Sequence, residues 1–417
     1  MSYAFEGLSV VATALFGLGG LLLLLARTSR GRSLRDTLTR GLRRAIGHAD
    51  LAWLRWWHLA LGAALFYGVV TGFDVVSGAY ACPGGMRESD LIGYLDSGRA
   101  LLTGGNPFTV PDCGGTIPEP YGIAAILISA LGSLGGIPGV AFVWGVVGVA
   151  LVPLTWAVAG PDRRYLTLFV VSSPLYLPLI ATQIDGASNA LIPVTVFASL
   201  FLMTRSEPVA AALGGFLSTG RFPTVFPLVA SFGGRRRRYL GAAIAFGVFA
   251  VVTAITYAIW RSEFVDVVFF SQIGRRSFSL NFYGVLQYQN LLPSGSLLPA
   301  LQALLTVAVV AVAFFRAGSP LRAAAFALTG VAILTQYLSF NMLVSLLPVA
   351  LVDARSRWWV WGIGIVGAVN YDVAFSDWAL NGGVYWPTEL LDGLLTLLLV
   401  GLLVDLWRSR AAQPSPA

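Results

Sequence analysis

The chain has 417 residues, of which 56% are hydrophobic and only 11% are charged. Soluble domains carry about 25% charged residues, so this composition excludes an ordinary soluble enzyme and predicts that most of the chain lies in lipid, where charge is costly. The net charge of +7 comes from arginine alone, because the chain contains no lysine. These arginines separate apolar runs and act as topology signals, so we do not interpret them as a nucleic-acid-binding surface.

The order of the apolar runs predicts an all-α, polytopic transmembrane helical bundle of about 12–13 spans that forms a single membrane domain, 1–417. Within it, 1–26 is an extra N-terminal span that is retained, and 27–52 is a cytoplasmic basic linker. The run at 53–78 then leads outward, which makes 79–121 an external loop. Further runs lie at 122–136, 139–159, 164–182, 187–204, 208–232, 239–260, 297–316, 320–337, 338–353, 357–376 and 390–407.

Simple alternation of these runs places four later arginine groups in the cytoplasm, namely 235–238, Arg316 with Arg322, Arg355 with Arg357, and Arg408 with Arg410. Arg163 and Arg164 fall outside on the same count. The runs from 122 to 204 are short and interrupted by Pro and Gly, which leaves half-spans open for some of them. Two further external segments, 261–297 and 376–389, are rich in polar and aromatic side chains. Cys82 and Cys113 both lie in the first external loop, where either a disulfide or two free thiols is compatible with the sequence.

The first external loop contains a polar stretch, 88–108, that predicts an amphipathic helix on the membrane surface. Ser89 is a capping residue, and Gly104 with Gly105 ends the helix. Leu91, Leu95 and Leu102 are predicted to contact the lipid interface. Asp90, Tyr94 and Ser97 share another face, which we expect to meet the substrate.

The residues that could carry chemistry are acidic and basic side chains near the outer surface. The sequence contains no P-loop, dinucleotide fingerprint or paired-histidine zinc motif, and we predict no metal and no cofactor. Asp90 is the candidate general base, since partial burial would raise its pKa and its power as a proton acceptor. Arg275 and Arg276 could bind a phosphate, and Arg221 is an intramembrane arginine, which is a functional candidate by default.

These residues also carry a resemblance. The pattern Ser89-Asp-Leu-Ile-Gly-Tyr94, followed by Ala100-Leu-Leu-Thr-Gly-Gly-Asn-Pro-Phe108, resembles the first-loop signature of the polyprenyl-phosphate-mannose-dependent α-mannosyltransferases, family 87 of the GT-C glycosyltransferases. Later segments are similar to further family elements, namely Gln183 with Asn189, Arg221-Phe-Pro223, and Ser279-Leu-Asn-Phe-Tyr-Gly284.

The resemblance implies an inverting, metal-independent transfer of a hexose, mannose first among them, from a polyprenyl phosphate to an extracytoplasmic glycolipid or glycan. Asp90 would be the base and Tyr94 would orient it or the sugar. The other substrate-binding residues would be Arg221, Arg275, Arg276, Gln183, Asn189, Asn281 and Tyr283. The protein would be a multi-pass plasma-membrane enzyme with its active site on the extracytoplasmic face.

Two alternatives stay open from the sequence: a multi-span transporter of lipids or solutes, and a catalytically silent GT-C-like protein that binds lipid. A wide outer groove that reaches Asp90 would favour transfer. A midplane cavity with access from both sides would favour transport.

Overall fold

The structure is a computed structural model that describes residues 51–76, 90–109, 122–176, 179, 187–234, 238–270, 279–288, 291, 297–381 and 386–409. Regular structure in these ranges is helical throughout, without a β-strand. The predicted all-α class is therefore confirmed for the described residues. The predicted N-terminal span and basic linker, Cys82, Cys113, Gln183, Arg275 and Arg276 lie outside them.

The α-helices of the described part are numbered here in chain order. They are α1 Trp56–Val76, α2 Asp90–Leu102, α3 Ile123–Ser133, α4 Gly136–Val158, α5 Arg163–Val171, α6 Leu191–Met203, α7 Glu207–Ser218, α8 Val225–Ser231, α9 Arg238–Val265, α10 Phe282–Tyr288, α11 Leu297–Arg316, α12 Pro320–Leu334, α13 Ala354–Asn381 and α14 Trp386–Arg408. Short 3₁₀ segments connect several of them, including Ala187–Ala190 and Phe222–Thr224.

Four stretches of the described chain are long and apolar enough to cross a membrane. They are Gly136–Val158, Arg238–Val268, Leu298–Arg316 and Thr388–Arg408. Several shorter apolar helices of 10–17 residues pack among them. The helical, membrane-associated class thus agrees with the sequence prediction, while the described helices provide four candidate spans of full length against the 12–13 predicted.

Several arginines meet at one end of the bundle. The Arg164 Nε donates to the Leu54 carbonyl, just before α1, at 3.0 Å, and the Arg357 guanidinium lies 5.5 Å from the centre of the Tyr165 ring. Arg355 contacts Asp405 near the end of α14 at 3.7 Å. We call this the arginine end. It contains the start of α1, the end of α4, the start of α13 and the end of α14.

This arrangement corrects one part of the predicted topology. The run 122–136 was counted as a span, with a half-span left open, and α3 has only 11 residues, about 16 Å of helix, against a hydrocarbon core of about 30 Å. The chain turns back through Gly136, whose φ is +66°, into the much longer α4. Arg163 and Arg164 consequently share the arginine end with Leu54, and they are no longer an exception to the pattern of the other arginines.

The opposite end holds the elements that the sequence marked as functional. Phe108, after α2, packs against Phe264 near the end of α9, with ring centres 5.2 Å apart. Because α9 starts at Arg238, whose guanidinium lies 5.8 Å from the Phe314 ring late in α11, α9 runs away from the arginine end. Arg316, at the end of α11, lines one small pocket with Arg322 and Trp407, so α12 also starts at the arginine end and finishes at the opposite one.

The interior of the bundle contains an unusual 3₁₀ helix, Phe340–Leu351, of 12 residues. All of its residues except Asn341 are buried, and they join the main apolar core with α6, α12, α13 and α14. A 3₁₀ helix rises about 2.0 Å per residue against 1.5 Å in an α-helix. Twelve residues therefore cover about 24 Å, a distance that would take about 16 residues of α-helix.

Candidate functional site

The helix predicted around Asp90 is present as α2, which begins at Asp90 and ends at Leu102. The Asp90 side chain lies outside the described part of the structure. The glycine at 98 allows α2 to approach α3 closely, because a Cβ there would lie 2.9 Å from the Ala130 backbone nitrogen. Close packing on α3 explains why α2 is largely enclosed by protein.

The predicted exposure of the two faces of α2 is wrong except at Leu102, which is 53% exposed. Leu91 and Leu95, which were expected in the lipid interface, are 1% and 6% exposed and pack in an apolar cluster with Trp144. Tyr94 and Ser97, which were expected to face substrate, are 1% and 7% exposed. The helix periodicity correctly grouped these residues, but both groups contact protein.

Asp96 lies on the partly exposed side of α2. Burial of its carboxyl raises its pKa above the ordinary value of 3.8, and the nearby Arg99 guanidinium opposes that rise. A shift of this kind follows from poorer solvation of the charged form.

Tyr94 makes a structural contact, and its predicted role toward Asp90 or the sugar stays a prediction. Its hydroxyl accepts a hydrogen bond from the Ser188 backbone N–H at 3.0 Å, and its ring lies 4.9 Å from the ring of Trp144. The Trp144 Nε1 in turn donates to the Ser129 hydroxyl on α3. Tyr94 therefore joins α2 to the 3₁₀ turn Ala187–Ala190, which contains Asn189.

Asn189 and Arg221 are both buried, at 2% and 8% exposure. Asn189 Oδ1 has no hydrogen-bond partner within the described residues, which leaves this amide oxygen available to a ligand or to water. Arg221 is in the turn between α7 and Phe222–Thr224, and its carbonyl accepts from the Thr224 N–H at 2.9 Å.

The turn that contains Arg221 is in direct contact with the end of the first external loop. The Gly122 N–H donates to the Gly220 carbonyl at 3.1 Å. The backbones approach so closely that a Cβ on Gly122 would lie 1.7 Å from the Thr219 carbonyl oxygen. Only glycine fits at this position, so the close contact between the two segments requires the glycine at 122.

Asn281 has a structural role in the described residues. Its Nδ2 donates to the carbonyls of Ala332, Ile333 and Thr335 at 3.3, 3.4 and 2.8 Å, and its Oδ1 accepts from the Ser279 hydroxyl and the Tyr283 N–H at 2.8 and 3.1 Å. The amide thus caps the end of α12, where carbonyls lack helical partners. The Asn281 side chain is fully buried and Tyr283 beside it is 2% exposed, and a substrate contact of either residue stays a prediction.

The predicted elements converge around one small cavity. Its lining includes Ile192 after the Asn189 turn, Pro223 after Arg221, and Thr335 and Leu338. The last two residues are hydrogen-bonded to the segment 279–281. The remaining lining is mostly apolar, and the space holds about one water molecule. This cavity is too small for a sugar phosphate.

A buried carboxylate was missed by the sequence reasoning. Asp392 on α14 is 3% exposed and accepts from the Asn370 Nδ2 on α13 at 2.5 Å. Its Oδ2 also lies against Gly284 of the Ser279–Gly284 motif, since a Cβ there would be 2.9 Å away. An aspartate within a mostly apolar run is a usable signal. Among the residues that the structure describes, no three His, Cys, Asp or Glu side chains cluster to hold a metal ion.

Comparisons with known proteins identified no relative of this chain. A scan against protein-family models, a search of curated proteins and a search of solved structures each found no match to this chain.

Proposed function

We propose that the chain is a GT-C-type membrane glycosyltransferase of about 12–13 spans, which transfers a hexose, mannose first among them, from a polyprenyl phosphate to an extracytoplasmic glycolipid or glycan. The observation that supports this best is the hydrogen bond between Gly122 and Gly220. It joins Gly122, at the start of α3, to the turn that contains Arg221. Helix α2, which begins at Asp90, packs against the same helix α3, so the candidate base and the candidate phosphate-binding cation belong to elements that share a neighbour, although they are far apart in the sequence.

The distribution of arginines supports an orientation in the plasma membrane. Basic residues are retained on the cytoplasmic side of membrane proteins, so the arginine end would face the cytoplasm. Helix α2, at the opposite end, would then lie at the extracytoplasmic surface. Lipid-linked sugar donors in the outer leaflet could reach it there.

The reaction follows from the residue types. The Asp90 carboxylate would take the proton of an acceptor hydroxyl as that oxygen attacks the anomeric carbon. The bond from this carbon to the phosphate oxygen breaks, the polyprenyl phosphate leaves with the electron pair, and the configuration inverts. Arg221, and Arg275 or Arg276 from the neighbouring segment, would stabilise the leaving phosphate. A monophosphate leaving group can be stabilised in this way without a metal.

The test is hexose transfer in membranes that contain the native protein or its Asp90→Asn variant, supplied with labelled polyprenyl-phosphate-mannose and followed by mass spectrometry of the lipid extract. Removal of a general base typically lowers the rate about 10²- to 10⁴-fold. Asp96→Asn is the matched control, because it makes the same change on the same helix, at a position on a different side of that helix from residue 90.

Transfer that is lost in Asp90→Asn and kept in Asp96→Asn supports the proposal. Equal loss or equal retention in the two variants removes Asp90 from the mechanism. If the native protein transfers no labelled hexose from this or other polyprenyl phosphates, the transferase proposal is wrong, and transport or catalytically silent lipid binding takes its place.

A further inference from the structure

Helix α1 contacts the rest of the described chain through one of its faces. Ala63, Tyr67 and Val70 are buried, and the Tyr67 hydroxyl donates to the Ala141 carbonyl on α4. Gly145 allows this approach, because a Cβ there would lie 2.2 Å from the Tyr67 ring. The three buried residues recur at spacings of four and three, so they form one stripe along α1.

The opposite face of α1 is exposed and combines large apolar side chains with small residues. Leu61, Leu65 and Val69 are 52%, 60% and 70% exposed. Between them, Ala64, Gly68 and Gly72 are also exposed and follow one another at a spacing of four. A Cβ on either glycine would meet nothing within 4 Å. These three residues form a shallow groove with space for the backbone of another helix.

We propose that this groove binds the first apolar run of the same chain, residues 8–26, as an antiparallel helix. This run lies outside the described residues. It has 19 residues, which suffices to cross a bilayer as a helix. Ser9, Thr13 and Gly17 repeat the four-residue spacing of small residues found on α1. Small residues at matching positions let two helices pack closely in lipid, where the hydrophobic effect gives little drive for association.

The connection between the two segments supports the antiparallel arrangement. Residues 27–52 carry seven arginines from Arg27 to Arg44 and lead to Leu54, which lies at the arginine end. Because the positive-inside rule keeps such a linker in the cytoplasm, the first run would end on the side of the membrane where α1 begins. With Ala26 level with Arg55, the small residues pair one to one along the helices: Gly17 with Ala64, Thr13 with Gly68, and Ser9 with Gly72.

The linker also favours this occupant over a second copy of the chain. A short tether holds two segments at an effective concentration of about the millimolar range. A second copy would have to reach the same groove by diffusion in the membrane. The inference requires membrane insertion but does not depend on the transferase activity.

The experiment is disulfide crosslinking in native membranes, in a full-length background with Cys82→Ser and Cys113→Ser and a protease site inserted between residues 27 and 52. Thr13→Cys is combined with Gly68→Cys, where the open space accepts a side chain. The matched control is Val11→Cys with Gly68→Cys, because residue 11 lies about 200° around the helix from residue 13. After oxidation and cleavage, the expected result is that the first pair stays joined and the control pair separates.

A second pair, Gly17→Cys with Ala64→Cys, tests the same register if the first pair reduces expression. Both pairs separating under oxidation would overturn the proposal, and so would equal crosslinking of the control pair. A disulfide-linked dimer of the single variant Gly68→Cys would assign the groove to a second copy and would also overturn it. Thermal unfolding of each variant in detergent confirms that the proteins compared are folded.

Discussion

Replacement of Asn281 by alanine should reduce stability without a specific effect on substrate affinity. The Asn281 amide is fully buried and makes five hydrogen-bond contacts, which connect Ser279 and Tyr283 to the end of α12. Alanine removes all of them and leaves the Tyr283 N–H and the Thr335 carbonyl without that partner. The segment 279–288 would then lose its main polar attachment to α12.

The expected loss of stability in Asn281→Ala follows from the polar groups that lose a hydrogen-bond partner. Loss of a buried hydrogen-bond partner costs about 1–3 kcal/mol, so two such losses lower the free energy of unfolding by about 2–6 kcal/mol. Asn281→Asp keeps the acceptor for Tyr283 but loses the donor to the α12 carbonyls, and it adds a buried charge. Aspartate is therefore expected to rescue little of the loss.

The assay is SDS titration of purified protein in mixed micelles, together with hexose transfer at several donor concentrations. Asn106→Ala is the matched control, because the Asn106 Oδ1 accepts one hydrogen bond, from the Phe108 N–H at 3.0 Å, in a partly exposed turn. We expect it to cost about 1 kcal/mol or less. A variant Asn281→Ala that is as stable as the native protein but has a raised KM would refute the structural role and support the predicted substrate contact.

Three further predictions follow. Tyr94→Phe leaves the buried Ser188 N–H without its acceptor. SDS titration should therefore show that the free energy of unfolding falls by about 1–3 kcal/mol. A change near zero would mean that this contact is not formed. Asp392→Ala leaves the buried Asn370 Nδ2 without its acceptor and should cost a similar amount, whereas Asp392→Asn should cost less because it keeps an acceptor oxygen. The raised pKa of Asp96 means that the folded state binds the proton more tightly. The native protein should therefore lose stability as the pH rises from about 4 through the folded pKa, and Asp96→Asn should lack that step in thermal unfolding followed against pH.

The extent to which the sequence predicted the site is illustrated by α2. Ser89, the leucine spacing and the Gly104-Gly105 pair located this helix to within a residue or two of its observed bounds. Helical periodicity identifies which residues share a face, but it does not identify what that face contacts. The burial of Leu91 and Tyr94 depends on Trp144, which is distant in the sequence, and on the close approach that Gly98 allows.

The prediction of the topology from the sequence was incomplete for a related reason. Hydropathy measures how apolar a run is, so it did not separate the 11-residue α3 from a true crossing. Simple alternation placed Arg163 and Arg164 outside, unlike the other arginine groups, and this exception indicated that one run had been miscounted as a span. The role of Asn281 was hidden because its partners lie about 50 residues away and are backbone carbonyls, which no residue pattern reveals.

The 3₁₀ helix Phe340–Leu351 has a consequence for how the protein is made. Its 12 residues are fewer than the roughly 20 that a helix needs to span a bilayer, and even in the 3₁₀ form they cover about 24 Å against a hydrocarbon core of about 30 Å. The segment packs against α6, α12 and α13. We therefore expect it to enter the bilayer together with α13 and not by itself. A chain that stops at residue 353 should leave this segment outside the bilayer.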